Sequence, residues 1–299
     1  MPMKRDAKAR VVDWLLVALM VLPFVLSMTL KVLLKPAGEG ISITGAQVYF
    51  TIPMPVMDLP ITESQVNSLM VVLSILGLCL YLTHGISVAP HSKRQIVAEW
   101  IVEKVQNLVN SNMGAYFSAF APFIAGIMFI SAFSSLSSLL GLFPPTSDMN
   151  IVAGWAILVF VLITHYKLKG GLLPYVKGFF EPVFIFAPFN IIGEVATPVS
   201  MSFRHYGNVL SGMVISTLVA YALQTLSHKL LGWLPGVLGQ FPFLQVGLPA
   251  ILSLYLDIFS GLMQAFIFAL LTTIYISTGF PQEEYERRKA KRKKALHTA

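Results

Sequence analysis

Asn190-Ile-Ile-Gly-Glu194-Val-Ala-Thr197-Pro198-Val-Ser-Met201-Ser-Phe-Arg204-His-Tyr-Gly-Asn208-Val-Leu-Ser211 opens an apolar run that continues to about Leu226. A guanidinium sits in its middle, and arginine keeps its charge inside proteins. Placing that charge at membrane depth costs from about 2.5 to more than ~10 kcal/mol. Something must offset the cost. Positions 190, 194, 197, 201, 204, 208 and 211 step by four and three, so they share one helix face. All but Met201 on that face can hydrogen-bond, while the other faces are mostly Ile, Val, Phe and Leu.

A second stretch answers the first. Ser253-Leu-Tyr-Leu-Asp257-Ile-Phe-Ser260-Gly261-Leu-Met-Gln264 lies in the last apolar run, with Ser253, Asp257, Ser260 and Gln264 again at helical spacing. Two polar-striped helices, one carrying Arg204 and the other Asp257, point to an ion path rather than to a nucleophile.

Composition sets the class. Of 299 residues, 56% are hydrophobic and 12% charged, which describes an integral membrane protein. The single cysteine, Cys79, lies in an apolar run and gives neither a disulfide framework nor a CxxC metal motif. HExxH, GxxxxGKS and GxSxG are absent, so neither a cofactor nor a metal ion is expected. The net charge of +7 sits between apolar runs and at the ends. It reports topology, not a nucleic-acid partner.

The expected architecture is an all-α integral membrane protein with about six transmembrane helices and one amphipathic surface helix. The first span, Val11 to Leu34, follows a basic N-terminus and is too long for a signal-peptide core of ~7–15 residues. Residues 37–64 form an extracytoplasmic loop whose β-branched and aromatic alternation, as in Val48-Tyr-Phe-Thr-Ile, reads as hairpin-like. Ile61-Thr62-Glu63-Ser64-Gln65 resembles a helix N-cap, and the second span runs from Gln65 to Ile86. Lys93 to Asn112 is too charged to span and is expected along the membrane surface. Further spans are Tyr116 to Leu142, Asn150 to Tyr166, the Arg204 helix, and Val246 to Thr278. The serines from Ser131 to Ser138 read as close-packing residues. The domain division is then 1–36 for the basic segment and first helix, 37–64 for the loop, 65–282 for the membrane domain, and 283–299 for a basic tail.

Six crossings put both termini on one side. Lys93, Arg94, Lys104, Lys167, Lys169, Lys177 and both terminal clusters fall on that side, against Lys31, Lys35 and Lys229 on the other. The positive-inside rule makes the first side cytoplasmic. Glu194 lies ten residues before Arg204, about 15 Å along an ideal helix, so the two do not pair directly. The lone His205 reads as packed. Pro198 frees the carbonyl of Glu194, with Thr197 and Ser200 near enough to re-satisfy backbone.

Glu194-Val-Ala-Thr-Pro-Val-Ser-Met-Ser-Phe-Arg204-His-Tyr-Gly-Asn208 resembles the E-x-A-x-P-x-S-x-S-x-R-x-x-G-N signature of subunit a of F-type ATP synthases. Gly261-Leu-Met-Gln264-Ala-Phe-Ile-Phe resembles that family's last-helix motif, and Pro145-Thr-Ser-Asp148-Met-Asn150 its turn between earlier spans. The resemblance covers about Gln65 to Ser277. It implies a non-catalytic stator subunit, with its last two helices forming a long tilted hairpin against a ring of c subunits. Peripheral-stalk b subunits, membrane lipid and, indirectly, the F1 ATPase would be its other partners, and H+ or Na+ its cargo. Arg204 would face each passing ring carboxylate and block direct leak between two half-channels. Asn208, Asp257 and Gln264 would lie toward the outer half-channel, and Glu194 and Asn190 toward the inner one. A bacterial inner membrane is the implied location.

The sequence departs from the family pattern at three places. Met213 stands nine residues after the arginine, where Glu or His is common. Asp257 stands seven before the glutamine, where His or Glu is common, and Thr197 replaces a frequent Lys. The usual outer pair is thereby reduced to one carboxylate. The competing readings are a stand-alone ion transporter, which would show inverted repeats, and a lipid-modifying enzyme, which would need a base or nucleophile beside Arg204.

Overall fold

The structure, a computed structural model, describes residues 7–34, 45–55, 57–88, 92–181, 183–234, 241–244, 247, 251–252, 254–283, 285–288 and 290. Lys4, Arg5, Lys35, residues 41–44, part of the Gly/Pro-rich connection, Val246, Ser253, Lys289 and the basic cluster from Lys291 onward lie outside them.

Six helical segments are long and apolar enough to cross a membrane: Arg10–Leu33, Glu63–Thr83, Ala115–Leu140, Met149–Leu168, Phe184–Leu231 and Leu254–Gly279. Within them run α1 (Ala7–Leu33), α2 (Glu63–Thr83), α4 (Ala121–Leu136), α5 (Met149–Leu168), α7 (Ala187–Leu231) and α8 (Gly261–Gly279). The charged α3 (Lys93–Met113) and the short α6 (Leu172–Phe179) are the others named here. Strands β1 (Val48–Ile52) and β2 (Leu59–Thr62) pair antiparallel before α2, as the alternation in that loop anticipates.

The helix starts follow from local chemistry. Thr62 opens α2 with a capping box, its N–H donating to Gln65 Oε1 at 3.3 Å. Ser92 caps α3 by accepting from Gln95 N, and Asp148 caps α5 by accepting from Asn150 N at 3.0 Å. Gly114 ends α3 at φ 79°, a conformation that side chains resist.

In lipid, apolar burial does not drive helices together, so close approach and polar ties must. A Cβ at Gly77 would lie 2.8 Å from the Met20 backbone nitrogen, and Ser74 Oγ donates to Met20 O at 2.6 Å, so α1 lies tight on α2. A Cβ at Gly261 would lie 2.7 Å from the Ser135 Cβ, so α8 lies equally tight on α4. The serine stretch therefore packs as its small residues suggest.

Charge pairs pin the two ends. Lys31 Nζ, at the end of α1, stands 3.2 Å from Glu63 Oε1 at the start of α2. At the other end Arg94 holds Asp13 at 2.7 Å and donates to Tyr81 O. α3 sits at this second end, burying Val105, Val109 and Met113 with Phe117 and Phe280. Its Glu99, Glu103, Lys104 and Asn107 stay exposed. The broad apolar exposure of Trp14, Leu69, Ile157 and Phe189 suits lipid.

One local expectation changes. The last span does not begin as a regular α-helix: Leu254–Ser260 is a π-helical turn. Its wider winding shifts the phase, so Asp257 and Gln264 do not follow one simple four-and-three stripe.

Candidate ion-translocation site

α7 is 45 residues long, roughly 68 Å at 1.5 Å per residue. That far exceeds a ~30 Å hydrocarbon core, so it runs obliquely or extends beyond it. Pro198 lies inside it without ending it. The local back-bonding hydroxyls are Thr197, donating to Gly193 O at 3.1 Å, and Ser202, donating to Pro198 O at 2.8 Å. Neither of these bonds reaches the Glu194 carbonyl that Pro198 leaves free, so the expected role of Thr197 and Ser200 there is not seen.

The polar stripe of α7 divides into three environments. In the middle, Met201, Ser202 and His205 are buried. His205 Nε2 lies 3.1 Å from Ser131 Oγ, and its ring meets Trp155 and Phe268 edge to face. This packing fixes the rotation of α7. One residue back, about 100° around the helix, Arg204 is turned out and exposed. It has no ion-pair or hydrogen-bond partner among the described residues. Phe203 beside it is exposed, as are Ser200 and Ser211, one and two turns away on the same face.

One turn onward, Asn208 meets the last helix. Ser260 Oγ donates to Asn208 Oδ1 at 3.0 Å, and Asn208 Nδ2 reaches Gln264 Oε1 at 3.5 Å. Gln264 is buried and Asp257, in the π-turn, is half-buried. Gly212 faces Leu256 here, and an added Cβ would make ordinary van der Waals contact with its Cβ at 3.6 Å. Asn208, Ser260 and Gln264 therefore form one polar cluster between α7 and α8.

Toward the start of α7 the carboxylate is engaged. Glu194 Oε1 lies 2.9 Å from Lys167 Nζ and accepts from the Tyr175 hydroxyl at 3.1 Å. Burial, then the Glu194 charge, then the hydrogen bond push the Tyr175 hydroxyl up to about 12. A cavity of about 540 Å³ opens here, lined by Lys167, Tyr175, Asn190, Glu194, Thr197 and Thr278. Asn190 Nδ2 donates to Phe179 O at 2.9 Å and Glu181 O at 3.1 Å, tying the end of α6 to α7. Sequence reasoning counted Lys167 only toward topology and did not single out Tyr175. Within-helix spacing carries no signal for a pair formed between helices.

Among the described residues no cluster suits a metal ion. The arrangement is instead an exposed cation without a partner among the described residues, flanked along one helix by two polar sites. Residues 66–277 match the family described as ATP synthase A chain. The chain belongs to that family. Its members are stator subunits that take part in ion translocation in ATP synthases. The chain is 31% identical over 236 residues to ATP synthase subunit a of Bacillus subtilis, covering 73% of this chain and 93% of that one. It is 26% identical over 275 residues to the sodium ion specific ATP synthase subunit a of Propionigenium modestum, covering 81% and 88%. With its six apolar spans, it is a multi-pass membrane protein of the ion-translocating sector.

Proposed function

We propose that this subunit carries H+ or Na+ through two offset half-channels beside a ring of c subunits, and that Arg204 separates them. One observation carries the reading: the guanidinium is exposed in the middle of a helical segment long and apolar enough to cross a membrane, and it has no partner among the described residues. A membrane-depth cation so placed needs an anion from outside the subunit. A carboxylate on a passing ring subunit supplies one, and the attraction is strong at low dielectric. The same fixed charge repels a cation crossing directly from one polar site to the other.

Asn208, Gln264 and Asp257 then form the outer site, and Glu194, with Asn190 beside it, the inner one. Peripheral-stalk b subunits hold the stator, and F1 couples through the ring. Neither the stand-alone transporter nor the lipid-modifying enzyme finds specific support.

Arg204→Ala is expected to abolish ATP-driven ion pumping in vesicles containing the whole complex, tested separately with H+ and with Na+. Coupled pumping at the normal rate would sink the proposal.

Both termini are placed in the cytoplasm of a bacterial cell by the positive-inside rule. A cysteine introduced at Lys169 or just after Arg287 should then react only with reagents that reach the cytoplasm, and one at Ser42 from outside. The reverse pattern at any of the three would overturn the orientation.

A further inference from the structure

Away from α7, the end of the bundle where α1 finishes holds a polar interior that neither Arg204 nor Asp257 accounts for. Glu63 is 2% exposed, Ser64 0%, Asn67 1%, Thr146 0%, Ser147 5% and Ser134 0%. Glu63 Oε1 faces Lys31 Nζ of α1 and accepts from Phe143 N at 3.2 Å. Tyr49 of β1 also feels this carboxylate: burial first, then the Glu63 charge, push its hydroxyl up to about 12. Ser64, next in sequence to Glu63, donates its Oγ to Asp148 Oδ2.

The polar residues continue inward. Asp148 follows the short turn Pro145–Ser147, and that turn packs against α2, α4, α5 and α7 together. Thr146 Oγ1 lies 3.4 Å from Ser135 Oγ. Ser135 in turn sits against Gly261, next to the Ser260 that binds Asn208. Along this line Asn67 Oδ1, Ser134 Oγ and Ser147 Oγ are buried and have no protein partner among the described residues. Buried polar atoms of this kind are normally satisfied by water or an ion. A purely structural staple between α1 and α2 would explain Lys31 and Glu63, but not the unpartnered atoms beyond them.

We infer that Glu63 is a further ion-relay residue, gated by Lys31 and joined to Asn208 through the Pro145–Ser147 turn. An incoming cation binds the Glu63 carboxylate as Lys31 moves off it. It then leaves along Ser64, Asp148 and the Thr146–Ser135 hydroxyls toward Asn208. The helix α1 thus contributes a working residue and not only an anchor. Glu63 would also supply a second carboxylate on the outer side, where Met213 cannot titrate. The inference rests on the reading of Asn208 and Gln264 as the outer site.

The test uses the complete membrane sector in vesicles, stripped of F1, with ion flux driven from either side. Glu63→Gln keeps the size and the acceptor for Phe143 N, and should slow flux severalfold in an assembled complex. Lys31→Met removes the competing cation and should move the pH profile of flux to higher pH when the outer side is varied, leaving the inner-side profile in place. A structural staple would change assembly without moving one side's profile. Ser134→Val, remote from the ion pair, fills the polar interior and should also slow flux, even if Glu63→Gln fails to assemble. Wild-type flux in Ser134→Val and in assembled Glu63→Gln, beside a defective Asp257→Asn, overturns this inference alone. Wild-type flux in all three overturns the outer-site reading with it.

Discussion

Glu194 and Arg204 stand ten residues apart on α7, and the fold treats them oppositely. Glu194 is largely buried and held by Lys167 from α5 and Tyr175 from α6. Arg204 is exposed, and the subunit offers it no partner among the described residues. An acid near the helix start is thus settled within the chain, while a base at its middle is left for another. Charge satisfied internally stabilises the subunit. Charge left unsatisfied at mid-helix is a demand on a neighbour, and on the proposed reading that neighbour is a moving carboxylate. Total loss of pumping in Arg204→Ala is the largest effect the contrast predicts.

Asp257 extends the comparison to the other helix. It lies in a π-turn, half-buried, at the entry to α8. Asp257→Asn keeps the shape and removes the titratable group. With H+ as cargo, losing a positioned proton carrier should slow passive flux and ATP synthesis on the order of a hundredfold. The complex should still assemble, and little uncoupled leak should follow, because Arg204 remains. Unchanged flux and synthesis in an assembled complex would make Asp257 a structural polar residue.

Lys167 tests the settled half of the contrast. Its side chain is 31% exposed and that of Glu194 is 10% exposed, so their pair lies between the surface and buried limits. Lys167→Met should therefore cost on the order of 1–3 kcal/mol in thermal stability of the sector. A double-mutant cycle with Glu194→Gln should show clear coupling in both stability and pumping. Strict additivity would mean that the two groups act independently, and the comparison with Arg204 would lose its first term.

Much of this was legible beforehand, for reasons tied to particular residues. The six spans follow from apolar length, and the Thr62 cap from local chemistry; the Asp148 cap appears only in the structure. Burial of His205 agrees with reading a lone histidine as packed. The joining of Asn208 to Gln264 was signalled by two stripes and by the family motif. The π-turn at Asp257 was not legible, because one added residue per turn leaves no mark in composition. Nor was the outward rotation of Arg204, which is set by His205 locking against Ser131, Trp155 and Phe268 on three other helices. Lys167–Glu194 and Lys31–Glu63 were missed for a related reason. Each joins residues far apart in sequence, and each lysine by itself reads as an interfacial charge.

The smallest expected effect belongs to Tyr175, and it separates the two partners of Glu194. Tyr175→Phe removes a hydroxyl that donates to Glu194 Oε1 but leaves Lys167 in place. At neutral pH the loss should be about 1.5 kcal/mol, the low end for a hydrogen bond to a charged acceptor, because Glu194 keeps Lys167. The pH dependence gives a sharper test. In the native protein the hydroxyl is raised from 10.0 to about 12 by burial, the Glu194 charge and the hydrogen bond. The unfolded chain releases this proton first, so the native state binds more protons between those values and loses stability as pH rises through them. The stabilising contribution is therefore complete below pH 10 and lost as pH rises toward 12. The stability advantage of the wild type over Tyr175→Phe should shrink across that window, measured as the gap between their thermal midpoints in one detergent. A gap that stays constant would mean that the hydroxyl does not bond Glu194. Lys167 would then hold the carboxylate by itself, and the inner site would be less firmly closed than the contrast with Arg204 requires.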